Sequence, residues 1–149
     1  MRLNNIPRLL FFMNNKLEQC ISRVQDEIKT IETSLADTGT HLTSAVEHKV
    51  EDLEAGWKNA LAKCDAKREE AGQAGQRLRQ YLVEKKDELI SKYEDWKTDR
   101  EIAKLEKHAD QKEQQAVDAV IVAAFALLEA EVAIVEALKA RKVAIEVAG

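Results

Sequence analysis

Between residues 17 and 35 the chain carries apolar side chains at Leu17, Ile21, Val24, Ile28, Ile31 and Leu35, in steps of four, three, four, three and four. A repeat averaging 3.5 residues keeps one apolar stripe in line along a helix, and such a stripe demands a partner helix. Asn4 or Asn5 supplies a cap ahead of it, and Pro7 falls in the first turn, where its missing N–H costs nothing.

The rest of the chain suits the same architecture. One proline and five glycines in 149 residues leave few places to turn, which excludes the many tight turns of β and α/β folds. Charged residues make up 34% and aromatics 5%, the balance of long helices and coiled coils. The expected fold class is therefore all-α.

The pattern resumes at Leu42, Val46, Val50, Leu53, Trp57, Leu61 and Cys64, with successive steps of four that locally unwind a supercoil. Thr38-Gly39-Thr40 lies between the two runs: Gly39 ends a helix that Thr40 restarts, or a long partner helix carries the chain straight through. Two glycines in four residues, Gly72 and Gly75, make the clearest turn signal, near the midpoint. A further seam follows at Leu78, Leu82, Leu89, Tyr93, Trp96, Ile102, Leu105 and Ala109. These signals predict one helical domain over 1–149: arm one over about 6–71, a turn at 72–75 and arm two over about 76–147, forming an elongated antiparallel helical hairpin. In that register Leu17 faces Ala130, Ile21 faces Ala126 and Ile28 faces Ala119, large against small as dense packing requires. The alternative is a three-helix bundle with one long helix, formed if the first segment folds back near Gly39. Leu53, Trp57 and Leu61, followed by Arg68, resemble a spectrin-repeat helix over that one stretch.

The last segment has alanine at 116, 119, 123, 126, 130, 133, 137, 140 and 144, in steps of three and four. Large apolar residues flank this row, and a helix apolar on several sides is buried on several sides. In a hairpin, Val117, Ile121, Leu128, Val132 and Val135 would lie along an open side, so they are the expected oligomer interface. Self-association into a helical bundle follows as an expectation, with a homo-oligomer or another protein as partner.

Chemistry is sparse. His48, Glu51 and Asp52 are the best metal candidate by helical spacing, but no metal motif surrounds them, and the expectation is no metal, no cofactor and no catalytic residues. Lys63 to Glu113 holds thirteen basic and thirteen acidic residues, a solvated mixed face rather than a nucleic-acid surface. The net charge of -4 agrees. Cys20 and Cys64 lack ligand spacing and read as small buried thiols, which suits a reducing, cytoplasmic setting. No segment reads as membrane-spanning; Ala119 to Leu128 is too short and lies between Asp118 and Glu129. The leading functional expectation is a self-associating scaffold or adaptor, not an enzyme. The alternative is a binder of lipid surfaces or hydrophobic particles: the first seventeen residues contain Arg2, Arg8, Lys16, no acid and the run Leu9-Leu10-Phe11-Phe12-Met13.

Overall fold

The computed structural model describes residues 6–84 and 102–149. Every element among them is helical: α1 spans Ile6–Ser44, α2 spans Val50–Glu84 and α3 spans Ile102–Ala148. Both α1 and α2 pack along α3. The tie from Lys16 to Asp110 and that from Ser34 to the Leu127 carbonyl show that α1 runs parallel to α3. Trp57 reaching Glu136, Lys63 reaching Glu131 and Arg77 reaching Asp118 show that α2 runs antiparallel to it. The result is a three-helix bundle, the architecture held in reserve above.

The hairpin is corrected on two points. First, residues 72–75 are not a turn: they lie inside α2. Its inward row runs Leu53, Trp57, Ala60, Cys64, Lys67, Ala71, Ala74 and Leu78, alternating four and three without interruption. Ala71 and Ala74 are buried against Val117 and Ile121, while Gly72 is exposed. Glycine weakens a helix by only about 1 kcal/mol relative to alanine, and the packing of this row outweighs that. Second, the reversal falls at 45–49, just beyond the stretch around Gly39. Gly39 itself is helical, and no described residue has positive φ.

The break has a local cause. Thr38 to Ser44 is rich in weak helix formers, whose hydroxyls turn back onto the backbone. Thr40 Oγ1 donates to the Ala36 carbonyl at 3.0 Å, Thr43 Oγ1 to the Gly39 carbonyl at 3.0 Å, and Ser44 Oγ to the Thr40 carbonyl at 2.5 Å. The Ser44 carbonyl then accepts from both Glu47 N and His48 N. Lys142 of α3 fixes the turn by donating to the Val46 carbonyl at 2.8 Å. Glu51 and Asp52 occupy the first turn of α2, where negative charge suits the helix dipole.

The opposed pairs of the hairpin register, such as Leu17 with Ala130, do not form within the chain, because α1 and α3 are parallel. Large-against-small packing holds instead between α3 and α2: Val117 and Ile121 fill the space left by Ala71 and Ala74. The seam residues Leu89, Tyr93 and Trp96 lie outside the described residues.

Candidate interaction surface

The core row of α3 is Val117, Ile121, Ala124, Leu128, Glu131 and Val135, stepping four, three, four, three and four; all are buried. Four of the five residues expected to form an open oligomer interface are thus inside the chain. Val117, Ile121, Leu128 and Val135 are covered by α1 and α2, and Val132 is half-buried. The alanine row expected to form the seam is exposed at every position from Ala116 to Ala144. The two rows have the same period and lie on different faces of a helix that is apolar nearly all round, so periodicity alone did not choose between them.

On α1 the inversion is sharper. Its inward positions are Lys16, Cys20, Val24, Glu27, Ile31, Ser34 and His41, more than half of them polar or charged. Of its heptad seam, Val24 and Ile31 are half-buried, while Leu17, Ile21, Ile28 and Leu35 lie outside, Leu35 exposed by 55% and Ile28 by 42%, and Leu42 beyond them is exposed as well. Each of Ile21, Ile28, Leu35 and Leu42 directly follows a core-facing residue, so the seam is turned about 100° from the core.

The direction of that turn is fixed by the neighbours. On α1, Asp37 and Glu27 meet Lys63 and Lys67 of α2. The seam lies on the opposite side of the core direction, with Val24 wedged against the Val117–Ile121 cluster of α3. On α3, residues 118, 136 and 139 meet α2. Val120, Leu127, Ile134 and the alanines 116, 123, 130 and 137 turn the other way, past α1. The α1 seam and this α3 row therefore open on the same outer face of the bundle, the one away from α2.

Of the polar residues that α1 turns inward, Ser34 and His41 meet a buried cluster around Glu131, while Glu27 holds Lys67 through Oε1 at 2.6 Å and keeps Oε2 buried without a partner. Glu131, 1% exposed, accepts from Ser34 Oγ at 3.2 Å and from Lys63 Nζ at 3.1 Å, and Lys63 also holds Asp37 at 3.0 Å. Burial pushes the Lys63 ammonium pKa down, but the two carboxylates more than offset it and leave it above the ordinary lysine value. His41 Nε2 lies 3.8 Å from Glu131, and its ring fills the space where a Cβ on Gly56 would sit. A second buried acid, Asp118, is held by Arg77 through two bonds of 2.8 and 3.1 Å and by Gln114 at 3.0 Å. These clusters pin the register of the helices; every strong donor in them is committed to a carboxylate.

The remaining candidates are placed as follows. His48 sits in the 45–49 turn with Nδ1 buried and without a hydrogen-bond partner, while Glu51 and Asp52 are exposed. Among the described residues no group of three His, Cys, Asp or Glu side chains is placed to hold a metal. Cys64 is buried and Cys20 half-buried; both are free thiols whose pKa values burial raises. Trp57 is half-buried rather than enclosed: its Nε1 donates to Glu136 at 2.9 Å, and Lys139 lies over its ring. No helix among the described residues is long and apolar enough to cross a membrane.

No protein-family model, curated protein or solved structure matches the chain.

Proposed function

We propose that this chain is a structural protein-interaction module that associates with itself and serves as a scaffold or adaptor, without catalysis of its own. One observation carries this reading. Most of the regular heptad seam of Leu17 to Leu35 stays on the surface after the three helices have packed: Leu17, Ile21, Ile28 and Leu35 are exposed, as is Leu42 beyond them, while Val24 and Ile31 are half-buried. A contiguous apolar face of this length is costly to leave in water and marks an interaction site. The inward clusters around Glu131 and Asp118 support the reading from the other side. With most of its inward polar groups paired, α1 can hold its exposed apolar residues outward. Light scattering after size exclusion, across a range of concentrations, tests it. A mass that is a multiple of 16.8 kDa is expected. A monomer at every concentration overturns self-association.

A second reading has its own observation. Phe11 is 76% exposed, and Leu10 and Phe12 stand beside it at about half exposure, near Arg8. Bulky apolar and basic residues at one end of a helix suit a lipid surface. Lys16, by contrast, is tied to Glu106 and Asp110, which reduces the positive charge there. Co-sedimentation with anionic liposomes distinguishes the two: binding abolished by Phe11→Ser together with Phe12→Ser favours the lipid surface, and absence of binding dismisses it.

A further inference from the structure

We infer that the outer face shared by α1 and α3 is covered by the same face of a second copy, related by a two-fold axis parallel to the bundle, so that α1 of each copy lies on α3 of the other. This rests on the self-association reading above and specifies its surface, its partner and its symmetry.

Three observations lead to it. The first is extent. From Asn14 to Ala45 the face is about 45 Å long at 1.5 Å per residue. Two helices packed 8–10 Å apart make it about 18 Å wide. The product, about 800 Å², is what one partner contributes to a stable interface of standard size.

The second is complementarity. The α1 half of the face presents large side chains, and the α3 half presents a row of exposed alanines beside half-buried Val120, Leu127 and Ile134. A parallel two-fold axis places α1 of one copy over α3 of the other, so the exposed large residues of α1 meet the alanine row. A perpendicular axis would stack α1 on α1 and α3 on α3, large on large and small on small.

The third is register. A two-fold axis parallel to the bundle leaves heights along it unchanged, so the pairing between copies is set by the heights of α1 and α3 within one copy. The cross-ties to α3 separate by 90 to 97 residues: Lys16 to Glu106 and His41 to Glu131 by 90, Ser34 to Leu127 by 93, Lys16 to Asp110 by 94, Val46 to Lys142 by 96 and Ser34 to Glu131 by 97. At a separation of 95, Ile21 falls level with Ala116, Ile28 with Ala123, Leu35 with Ala130 and Leu42 with Ala137. The centre of that range lies within about two residues, or about 3 Å, of the separation that brings the seam and the alanine row into step. Nothing inside a single chain uses this agreement, because the two rows both point outward. A second copy does use it.

The interface is isologous, and each copy supplies one large row and one small row. Ile28→Glu or Ala123→Glu places a carboxylate at the centre of the apolar contact. Both positions are exposed in the single chain, so helicity by circular dichroism remains at the wild-type level while the mass falls to 16.8 kDa.

The geometry is tested by cross-linking. In a background of Cys20→Ser and Cys64→Ala, Ile28→Cys and Ala123→Cys are made as separate proteins of different tag length. They are mixed and treated with a short bis-thiol reagent. The expected product is the mixed pair, at least tenfold more abundant than either variant linked to itself. Predominant self-linking of Ile28→Cys overturns the parallel axis in favour of α1 against α1. A wild-type dimer that survives both glutamate substitutions overturns this face while leaving self-association standing. A wild-type monomer at all concentrations overturns both.

Discussion

Helices α1 and α3 lie side by side and parallel, yet they divide their surfaces in opposite ways. α3 turns Val117, Ile121, Leu128 and Val135 into the core and leaves alanines outside. α1 turns Lys16, Glu27, Ser34 and His41 inward, mostly into ion pairs and hydrogen bonds, and leaves Leu17, Ile21, Ile28, Leu35 and Leu42 outside. The apolar stripe of a helix is usually taken as the side that meets the rest of its own chain. Here that holds for α3 and fails for α1. The difference teaches that a seam records a need for burial without saying which molecule supplies it.

The largest expected effect breaks this contrast if it fails. Ile121→Ala removes a fully buried side chain from the cluster with Ala71 and Ala74, and is expected to cost about 2–5 kcal/mol in urea unfolding. Ile28→Ala, measured at a concentration low enough to keep the chain monomeric, is expected to cost less than about 1 kcal/mol, because the residue lies outside the core and is already 42% exposed. Equal losses would mean that the inside and outside of the two helices have been exchanged.

A smaller effect sharpens the account of the polar row. Lys63→Met leaves Glu131 with one hydroxyl partner in a buried site. Removing one member of a fully buried pair costs about 3–5 kcal/mol. Lys63 is about one-third exposed, so about 2 kcal/mol is expected. The pH dependence follows from the sign of the shift. The ammonium binds its proton more tightly in the folded chain than its ordinary value of 10.5, so its contribution is complete below that value. The contribution fades as pH rises through the higher folded value. Wild-type stability should therefore drop above about pH 10.5 more steeply than that of Lys63→Met, as thermal melts at stepped alkaline pH would show.

The smallest effect separates a continuous α2 from a turn at 72–75. A Cβ on Gly72 meets nothing within 4 Å, and one on Gly75 meets Val122 at an ordinary 3.6 Å. In a helix, Gly72→Ala and Gly75→Ala each stabilise by about 0.4–1 kcal/mol, through lower entropy of the unfolded chain. In a turn that needed left-handed glycine they would destabilise. Chemical denaturation midpoints decide the sign.

The helical class, the seam of α1 and the large-against-small rule were legible in the sequence because each rests on local spacing. The order of the helices was not. Gly72 and Gly75 look like punctuation by composition, but Ala71 and Ala74 between and beside them continue the inward row, and that outweighs the helix cost of two glycines. The real reversal at 45–49 carries no glycine; its signal is the run of threonine and serine before it, which is weaker than a Gly pair. On α3, Val117-x-x-x-Ile121 and Ala116-x-x-Ala119 begin two rows of equal period, and only the third helix reveals which one is covered. The buried roles of Glu131 and Asp118 left no mark in the sequence at all, since an acid among alanines and valines also suits an exposed face.

The parallel course of α1 and α3 has a consequence for distance. A hairpin would set residues 6 and 148 side by side. Here Ile6 lies near the level of Ile102, while Ala148 lies beyond the 45–49 turn, so the two are separated by about 70 Å along the rod. Anything joined to one end is held away from anything joined to the other by a fixed span. In the paired arrangement like ends fall together, which makes the assembly a ruler with a direction.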